Sequence, residues 1–331
     1  MKSTEVIALT ARDVLDLLSV EECIDAVERA FLLYGRGVAA APGVLSMHLE
    51  NGAFHIKAGS LDLKRRYFAA KINGNFPGNA ARFGLPTIQG MIVLSDAEKG
   101  TVLAVMDSRD VTSLRTGAAT AVAAKYLART DAHTLTICGC GQQGRAQLRA
   151  LSSVCQLRKV FAYDNSARQS EVYAKELTSE LNMTVTPVND LRAAVRQSDI
   201  CVTCTTSQWP LLGPEDVSAG TLIAAVGADN PHKQEIDAVL MGKAKVVCDV
   251  PEQCAVMGDL HHALQAGAMR REDVYAELGE VVAGKKLGRE SEEEIIIFDS
   301  TGMALQDVAA AAIVYEKALE RNVGVRLDFA A

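Results

Sequence analysis

The sequence predicts an α/β fold in which a doubly wound parallel sheet is joined to a second domain of α+β type. Three observations lead to this prediction. A short apolar strand at residues 134–138 runs into a glycine-rich turn. Beyond that turn, strand and helix patterns alternate to about residue 300, as in a parallel sheet covered by helices on both faces. Between residues 44 and 106 the pattern is instead a series of hairpins, which is typical of an antiparallel sheet.

The first 36 residues predict one strand and two helices. The apolar run Val6–Leu9 is typical of a strand, and a helical pattern begins around residues 10–11. Ser19 can serve as the N-cap of the second helix, because its hydroxyl can accept a backbone N–H. Glu21 and Glu22 then fall in the first turn, where the positive end of the helix dipole favours acidic side chains.

Residues 44–106 predict a sheet that is rich in hairpins. Apolar side chains alternate with others at Leu45, Met47 and Leu49, and the pair Asn51-Gly52 is a favoured hairpin turn. Further strands are expected at residues 54–56, 67–72, 88–94 and 102–106, with a polar loop at residues 73–84.

The stretch from Thr134 to Asp164 has the order strand, glycine turn, helix, strand, acid. Gly139, Gly141 and Gly144 follow the strand with the spacing G-x-G-x-x-G. The first glycine allows a tight turn, the second lets a pyrophosphate approach the backbone, and the third lets helix and strand pack closely. Asp164 stands where a carboxylate can accept hydrogen bonds from an adenosine ribose. The stretch therefore predicts the dinucleotide-binding unit of a Rossmann fold.

The rest of the chain predicts the remaining parallel strands and a final helix. A helix from Thr112 to Leu127, capped near residue 110 or 112, leads into the glycine-turn strand, and a last helix covers Leu305–Leu319. A helix that follows the last strand can return to the first domain. We therefore expect an α+β substrate-binding and dimerisation domain made of residues 1–117 and 306–331, and a Rossmann domain at residues 118–305. Strands of the parallel sheet are also expected at residues 184–186, 200–205, 221–227, 244–248 and 295–299, with a helix at 190–197.

Charge, hydropathy and cysteine usage argue against several classes of protein. The 331 residues carry a formal net charge of −7 and no basic block longer than Lys64-Arg65-Arg66, so we expect no nucleic-acid partner. No apolar run approaches the roughly 18 residues of a membrane span, and residues 1–5 lack the apolar core of a signal peptide. We therefore expect a cytoplasmic protein without membrane contact. Cys201-x-x-Cys204 falls in an apparent buried strand and has no second such pair, so we expect no metal site.

Several polar residues lie where chemistry is expected. Lys71 ends an apolar strand, where a lysine is rarely buried without a partner. Arg115 falls in the first turn of the predicted helix and opposes its dipole, which indicates an anionic partner. For both cations the alternative is a surface ion pair. Asp229 and the pair Ser300-Thr301 follow predicted parallel strands, whose carboxyl ends bind ligands in such folds.

Lys57 is a second lysine inside an apparent strand, and it allows two interpretations. Its neighbours Phe54 and Ile56 are expected on the opposite face of the sheet. Lys57 then either faces solvent from a half-exposed sheet or projects into a pocket near Lys71. In the second case the pocket holds two lysines and Arg115. Such a pocket suits a substrate with a second acidic group, or a single carboxylate held by three cations. It disfavours a cationic substrate, because like charges buried together are costly.

The linked motifs resemble those of the ornithine cyclodeaminase/μ-crystallin family from about residue 5 to residue 325. The resemblance implies a homodimer with a nicotinamide cofactor. We expect NAD(H), because Asp164 should repel a 2′-phosphate, although Arg168 could pair with that phosphate and allow NADP(H). Many family members carry an arginine after a proline that also holds the substrate carboxylate, whereas Pro42-Gly43-Val44-Leu45 has none. The motifs are Lys71 with its Asn-Gly loop, Gly84–Thr87, Leu114–Ala119, the glycine turn, Gly227–Glu235 and Phe298–Gly302.

The resemblance also implies roles for individual residues. Asp229 and Lys71 are the expected catalytic residues, with Asp229 as acid or base near the reacting carbon. The expected substrate-binding residues are Lys57, Lys71, Arg115 and Thr301. The residues expected to line the cofactor are Thr87, Arg115, Thr116, Gly139, Gly141, Gln142, Gln143, Gly144, Asp164, Thr205, Val226, Gly227, Asp229, Lys233 and Ser300.

The function expected from this resemblance is that of an NAD(H)-dependent enzyme acting on CH–NH or CH–NH2 groups. It would interconvert an α-imino or 2-oxo acid and an L-amino acid, as an alanine dehydrogenase or an imine or ketimine reductase does. One alternative is an ornithine cyclodeaminase, which reduces and reoxidises its cofactor within one cycle. The other is a cofactor-bound binding protein of μ-crystallin type. The sequence leaves the side chain of the substrate open.

Overall fold

The computed structural model describes residues 5–39 and 42–328 of the chain. The N-terminal residues 1–4, where we expected no signal peptide, lie outside this part, as do residues 40–41 and 329–331 of the expected first domain. The chain divides into two compact units. The first comprises Met1–Arg115 with Met303–Ala331, and the second comprises Thr116–Gly302. The boundaries thus fall at residue 115 where we expected 117, and at residue 303 where we expected 306.

The strands and helices of the described chain have the following bounds. The strands are β1 (Glu5–Leu9), β2 (Gly43–Leu49), β3 (Gly52–Asp62), β4 (Arg66–Asn75), β5 (Ile88–Asp96), β6 (Val102–Asp107), β7 (Thr134–Cys138), β8 (Lys159–Tyr163), β9 (Val185–Val188), β10 (Ile200–Thr203), β11 (Leu222–Ala225), β12 (Lys245–Cys248), β13 (Ala276–Glu277), β14 (Ile296–Asp299) and β15 (Val325–Asp328). The α-helices are α1 (Ala11–Leu17), α2 (Val20–Gly35), α3 (Asn79–Phe83), α4 (Arg109–Leu127), α5 (Gln142–Val154), α6 (Ala167–Leu181), α7 (Leu191–Val195), α8 (Ala238–Lys243), α9 (Pro251–Met257), α10 (Asp259–Gln265), α11 (Leu278–Val282) and α12 (Ala304–Arg321).

The first unit contains a seven-stranded sheet in the order β15-β1-β6-β5-β4-β3-β2. Its pairs are antiparallel except β1 with β6. The predicted capping of the second helix is confirmed, since the Ser19 side chain accepts the N–H of Glu22 and the Glu22 carboxylate accepts that of Ser19. Both ends of the chain contribute to the sheet, because β15 pairs with β1.

Two local predictions for the hairpins are wrong. The turn between β2 and β3 consists of residues 50–51, because Gly52 already pairs with Leu49. A methyl group at Gly52 would lie 2.5 Å from the Phe76 ring, so close packing rather than turn geometry explains this glycine. The predicted polar loop at residues 73–84 consists mostly of regular secondary structure. Strand β4 continues to Asn75, since residue 73 pairs with both β3 and β5, and helix α3 follows.

The two faces of the first sheet differ in burial. Along β4, Tyr67, Ala69 and Lys71 are buried, whereas the alternate residues Phe68 and Ile72 are exposed. Helix α12 packs on strands β3 and β4. One face therefore lies against helices, and the other displays apolar side chains.

The second unit contains an eight-stranded sheet in the order β13-β12-β14-β11-β10-β7-β8-β9, in which every pair is parallel. The predicted doubly wound α/β architecture is confirmed. Strand β7 lies between β8 and β10, which is where the chain reverses its direction of winding. Ligands bind at such a reversal, outside the carboxyl ends of the strands.

Helix α4 begins at Arg109, three residues before the predicted start at Thr112. The Asp107 carboxylate accepts the N–H of Arg109 at 2.9 Å, so the cap lies upstream of the expected position. Arg115 consequently lies in the second turn of the helix and not in the first. Among the residues that the structure describes, no helix is long and apolar enough to cross a bilayer.

Candidate functional site

The carboxyl edge of the parallel sheet collects many of the predicted cofactor residues. Gly139 follows β7, Asp164 follows β8, Thr205 lies two residues after β10, Val226–Asp229 follow β11, and Ser300 follows β14. These five strands are neighbours in the sheet and run in the same direction. The sequence prediction that these positions share one edge is therefore correct.

The glycine turn has room for a ligand only in its middle. Gly139 has a φ of +107°, and a methyl group there would lie 2.8 Å from the carbonyl oxygen of Cys204. A methyl group at Gly144 would collide with the carbonyl of Gly139, whereas one at Gly141 would meet nothing within 4 Å. Helix α5 begins directly after Gly141, so its free N–H groups point toward this open space. The turn thus fits the pyrophosphate of a dinucleotide.

Asp164 contributes to the glycine turn. Its carboxylate accepts the N–H of Cys140 at 2.9 Å and that of Ser166 at 3.0 Å. The side chain of Gln143, a predicted cofactor residue on α5, has its buried Oε1 without a hydrogen-bond partner in the described part of the chain. A buried amide oxygen in this position is costly unless a ligand or water donates to it.

Glu235 supports the same edge of the sheet and was not predicted. Its carboxylate accepts the N–H and the hydroxyl of Thr205 at 2.6 and 2.7 Å, and the N–H of Gly227 at 2.9 Å. Burial raises the pKa of Glu235. Because a methyl group at Gly227 would lie 2.5 Å from this carboxylate, the glycine is required by the contact. One buried acid thus fixes two of the predicted cofactor loops.

Three further buried acids extend this hydrogen-bonding pattern. Asp259 accepts the N–H groups of residues 235 and 236, and Asp299 accepts those of residues 259 and 260. Asp249 accepts the hydroxyl of Ser300 at 2.9 Å and the N–H of residue 302. Burial raises the pKa of Asp299 to about 7. These carboxyl groups hold the backbone of the strand-end loops, including the Ser300-Thr301 segment.

Asp229, the predicted acid or base, forms an ion pair with Lys233 at 2.7 Å. The Lys233 ammonium also donates to the carbonyl of Gly227 at 3.2 Å. The Asp229 side chain is 43% exposed. Its carboxylate is therefore held by a cation that was itself predicted at the cofactor, and it remains accessible.

The first unit holds a buried charge cluster made of Lys71, Arg115 and Asp307. The Lys71 ammonium lies 2.8 Å from Asp307 Oδ1, and Arg115 Nε lies 3.3 Å from the same oxygen. Arg115 Nη1 donates to Gln306 at 2.9 Å. The surface ion pairs considered for the two cations are excluded, because both side chains are buried. The anionic partner expected for Arg115 is Asp307.

Lys57 pairs directly with Lys71 across strands β3 and β4, so the two side chains lie on the same face of the sheet. Lys57 is partly buried. Burial lowers the pKa of Lys71 to about 7; Asp307 opposes the shift, and Arg115 and Lys57 add to it. Of the two interpretations of Lys57, the structure favours the one that brings it near Lys71.

Asp307 was missed by the sequence analysis although a signal exists. It is an acidic residue within the Ala-rich helix α12, where an apolar face is expected to be buried. Other predicted site residues are distributed over both units. Thr87 is exposed before β5, whereas Thr116 and Thr301 are buried in the second unit.

One set of buried side chains resembles a metal site. Potential ligand atoms of Cys248, Cys254 and Asp299 lie within 4.8 Å of one another. The Cys254 thiol, however, donates toward Asp249 and toward the carbonyl of residue 299. The pKa of the Cys254 thiol is raised, chiefly by burial, so the protonated form is favoured over the thiolate that binds metals. We therefore interpret the set as part of the buried hydrogen-bond network.

The parallel sheet, the glycine turn and the strand-end loops define a dinucleotide-binding α/β protein. More particularly, a model of the ornithine cyclodeaminase/mu-crystallin family matches residues 4–322, and the chain belongs to that family. The resemblance of the motifs to this family is confirmed.

Three solved structures are similar to this chain over nearly its whole length. An archaeal alanine dehydrogenase dimer with bound NAD is 42% identical, with a TM-score of 0.94 over 98% of this chain and 99% of that chain. The Δ1-pyrroline-2-carboxylate reductase of Thermococcus litoralis, in complex with NADH and L-proline, is 34% identical, with a TM-score of 0.94 over 97% and 100%. The iminosuccinate reductase of Paracoccus denitrificans, in complex with NAD+, is 31% identical, with a TM-score of 0.91 over 98% and 100%.

Proposed function

We propose that the protein is an NAD(H)-dependent oxidoreductase that interconverts an α-imino or 2-oxo acid and an L-amino acid. The observation that carries the proposal is the pair of buried cations, Lys71 and Arg115, in a chain whose other unit has a dinucleotide-binding edge. The similar structures hold NAD, NADH or NAD+, and one also holds L-proline.

The charge cluster suits a substrate that carries one α-carboxylate. With Lys71 protonated, the charges of Lys71, Arg115 and Asp307 sum to +1, which matches a single carboxylate. Lys57 lies beside Lys71 and adds a further cation, which would suit a second acidic group on the substrate. A cation that is buried and held by its neighbours orients such a group at little further entropic cost, and fixing a reactant in this way is a large part of catalysis. The cluster would therefore place the substrate α-carbon at a defined position.

Asp229 is proposed as the group that moves the proton at the substrate nitrogen. Its carboxylate is accessible and is held by Lys233. In the ionised form it stabilises an iminium nitrogen, and it can accept or return a proton there. A nicotinamide cofactor would supply or accept the hydride. The whole dinucleotide would be held by the residues at the strand ends, including the glycine turn, Asp164 and Thr205. The Asp164 carboxylate favours NADH over NADPH, because it repels a 2′-phosphate.

We also propose a homodimer. Leu45, Ile56, Ile72 and Met91 form one cross-strand row on the face of the first sheet that displays apolar side chains. Three of them are well exposed. An apolar patch of this kind marks an interaction surface, and the archaeal alanine dehydrogenase is a dimer. Light scattering after size exclusion should give twice the chain mass of 35.3 kDa.

A cofactor-fluorescence screen tests the enzymatic proposal. Oxidation of NADH is measured with 2-oxo acids plus ammonia or methylamine and with cyclic imines. With ornithine, the release of ammonia is measured in the presence of a catalytic amount of NAD+, because a cyclodeaminase causes no net change in its cofactor. We expect turnover with at least one oxo or imino acid, and we expect ornithine to be a poor substrate. Turnover of ornithine alone would instead support the cyclodeaminase. Tight cofactor binding without any turnover would support the μ-crystallin-like binding protein, against which the retention of Asp229, Lys71 and Arg115 argues.

A further inference from the structure

We infer that Asp307 is a positioning residue that keeps Lys71 protonated and Arg115 in place, and so controls how tightly the site holds the substrate carboxylate. The inference deepens the proposed function. It rests on that function for one point, the assignment of the two cations to a carboxylate.

The contacts of Asp307 support this role. One carboxylate oxygen, Oδ1, lies 2.8 Å from the Lys71 ammonium and 3.3 Å from Arg115 Nε. The preceding residue, Gln306, accepts a hydrogen bond from the same arginine. The cations lie on β4 and α4, and α12 supplies all three of these contacts. Two consecutive residues of one helix thus hold both cations.

Among the charges around Lys71, that of Asp307 favours the protonated form of the lysine. The Asp307 side chain is 2% exposed and that of Lys71 is 4% exposed, so solvent screens their interaction weakly. Lys57 on β3 and Arg115 on α4 both oppose protonation of Lys71, while Asp307 on α12 favours it. Cys23 on α2 also faces this cluster, but burial raises the pKa of its thiol to about 12, so it carries no charge.

Burial, together with two cationic neighbours, already brings the pKa of Lys71 down to about 7 with Asp307 in place. With a pKa of about 7, part of the Lys71 population is still an ammonium at pH 7–8. Without the Asp307 charge, the Lys71 pKa would fall further, and most of this remaining ammonium would be lost. A neutral amine does not attract a carboxylate by charge. Loss of the Asp307 carboxylate should therefore weaken substrate binding far more than it affects cofactor binding.

The first experiment measures Lys71 directly and does not depend on any activity. In protein labelled with [13C]lysine, the 13Cε resonance of Lys71, assigned with Lys71→Arg, is titrated by NMR. We expect Asp307→Asn to lower the titration midpoint by at least one pH unit and Asp307→Glu to leave it within half a unit. Asp307→Ala runs in parallel, since it avoids placing an amide donor against two cations. An unchanged midpoint in Asp307→Asn and Asp307→Ala would overturn the inference.

The second experiment uses kinetics with the substrate found in the screen. Asp307→Asn should lower kcat/KM at pH 8 at least tenfold, mainly through KM, and move its alkaline limb to lower pH, because kcat/KM reports the free enzyme. Asp307→Glu should restore most of the loss, and the affinity for NADH should stay within twofold of wild type.

Asp96→Asn is the matched control, because Asp96 is also buried and pairs with an arginine, Arg65, in the same unit. It should reduce thermal stability without moving the pH profile. If Asp307→Asn behaves like Asp96→Asn, its role is structural only and the inference is wrong. If wild type turns over no substrate in the screen while the NMR midpoint shifts as expected, the proposed function fails and the control of Lys71 by Asp307 stands.

Discussion

Replacement of Glu235 by glutamine tests whether a buried acid holds the cofactor edge together. Glu235 accepts three hydrogen bonds, two from Thr205 and one from the N–H of Gly227. Glutamine has almost the same shape, but one of its two terminal atoms is a donor. Whichever way the amide is turned, its NH2 group faces a backbone N–H. At least one hydrogen bond is lost, and one buried donor is left unsatisfied.

The expected cost follows from these contacts. A lost hydrogen bond and an unsatisfied buried N–H together destabilise by about 2–3 kcal/mol. The substitution should destabilise the loops at Thr205 and Gly227 in particular, because these loops donate the affected hydrogen bonds. We therefore expect Glu235→Gln to lower the Tm by roughly 3–5 °C. It should also raise the Kd for NADH at least tenfold, which corresponds to about 1.4 kcal/mol.

The assay combines thermal unfolding with calorimetric titration of NADH, and Asp199→Asn is its control. Asp199 accepts the N–H groups of His133 and Thr134 at 2.9 and 2.8 Å and pairs with Arg129. Asp199 thus accepts backbone hydrogen bonds as Glu235 does, but at the opposite, amino edge of the same sheet. Asp199→Asn should lower the Tm while leaving the Kd unchanged. If Glu235→Gln loses stability but binds NADH as wild type does, the link between Glu235 and the cofactor is refuted.

Three further predictions concern single residues. Asp229→Ala should abolish turnover and leave NADH binding nearly intact; retention of more than about a tenth of the wild-type rate, a loss below about 1.4 kcal/mol, would show that another residue is the acid or base. Wild type should prefer NADH, and Asp164→Ser should shift kcat/KM toward NADPH because the repulsion of a 2′-phosphate is removed; a tenfold preference of wild type for NADPH would contradict the role of Asp164. Lys57→Met should raise KM for the true substrate strongly, because it removes a cation beside Lys71; an unchanged KM would contradict this prediction, and a higher kcat/KM for ornithine than for every oxo or imino acid tested would contradict the cationic pocket.

Features encoded by nearby residues could be predicted from the sequence. The cap Ser19 and its partner Glu22 are three residues apart, and the glycine turn spans six residues from Gly139 to Gly144. In each case local backbone chemistry determines the structure. The order of strands and helices around the glycine turn was likewise sufficient to predict the parallel sheet.

Features that depend on distant pairings could not be read in this way. Asp307 lies 236 positions after Lys71, and no local pattern connects them. From the sequence, we attributed the glycine at position 52 to a turn. In the structure, the Phe76 ring packs against Gly52 and leaves no room for a side chain. Glu235 belongs to a motif that the sequence analysis identified, but the sequence did not indicate its role. That role depends on the pairing of β10 with β11, which brings Thr205 and Gly227 together. In all three cases tertiary contacts determine the role of the residue, and these contacts cannot be derived from a single sequence.

The fate of the hydride tests the central claim most directly. The enzyme is incubated with NADH deuterated at the transferred C4 position and with the oxo acid plus amine, or the cyclic imine, that the screen identifies. The account predicts one NADH oxidised for each amino acid formed, with deuterium at its α-carbon. In parallel, ornithine is incubated with a catalytic amount of NAD+. Release of ammonia and formation of proline with no net change in the cofactor, together with no deuterated product in the first reaction, would contradict the account and establish the cyclodeaminase reaction instead.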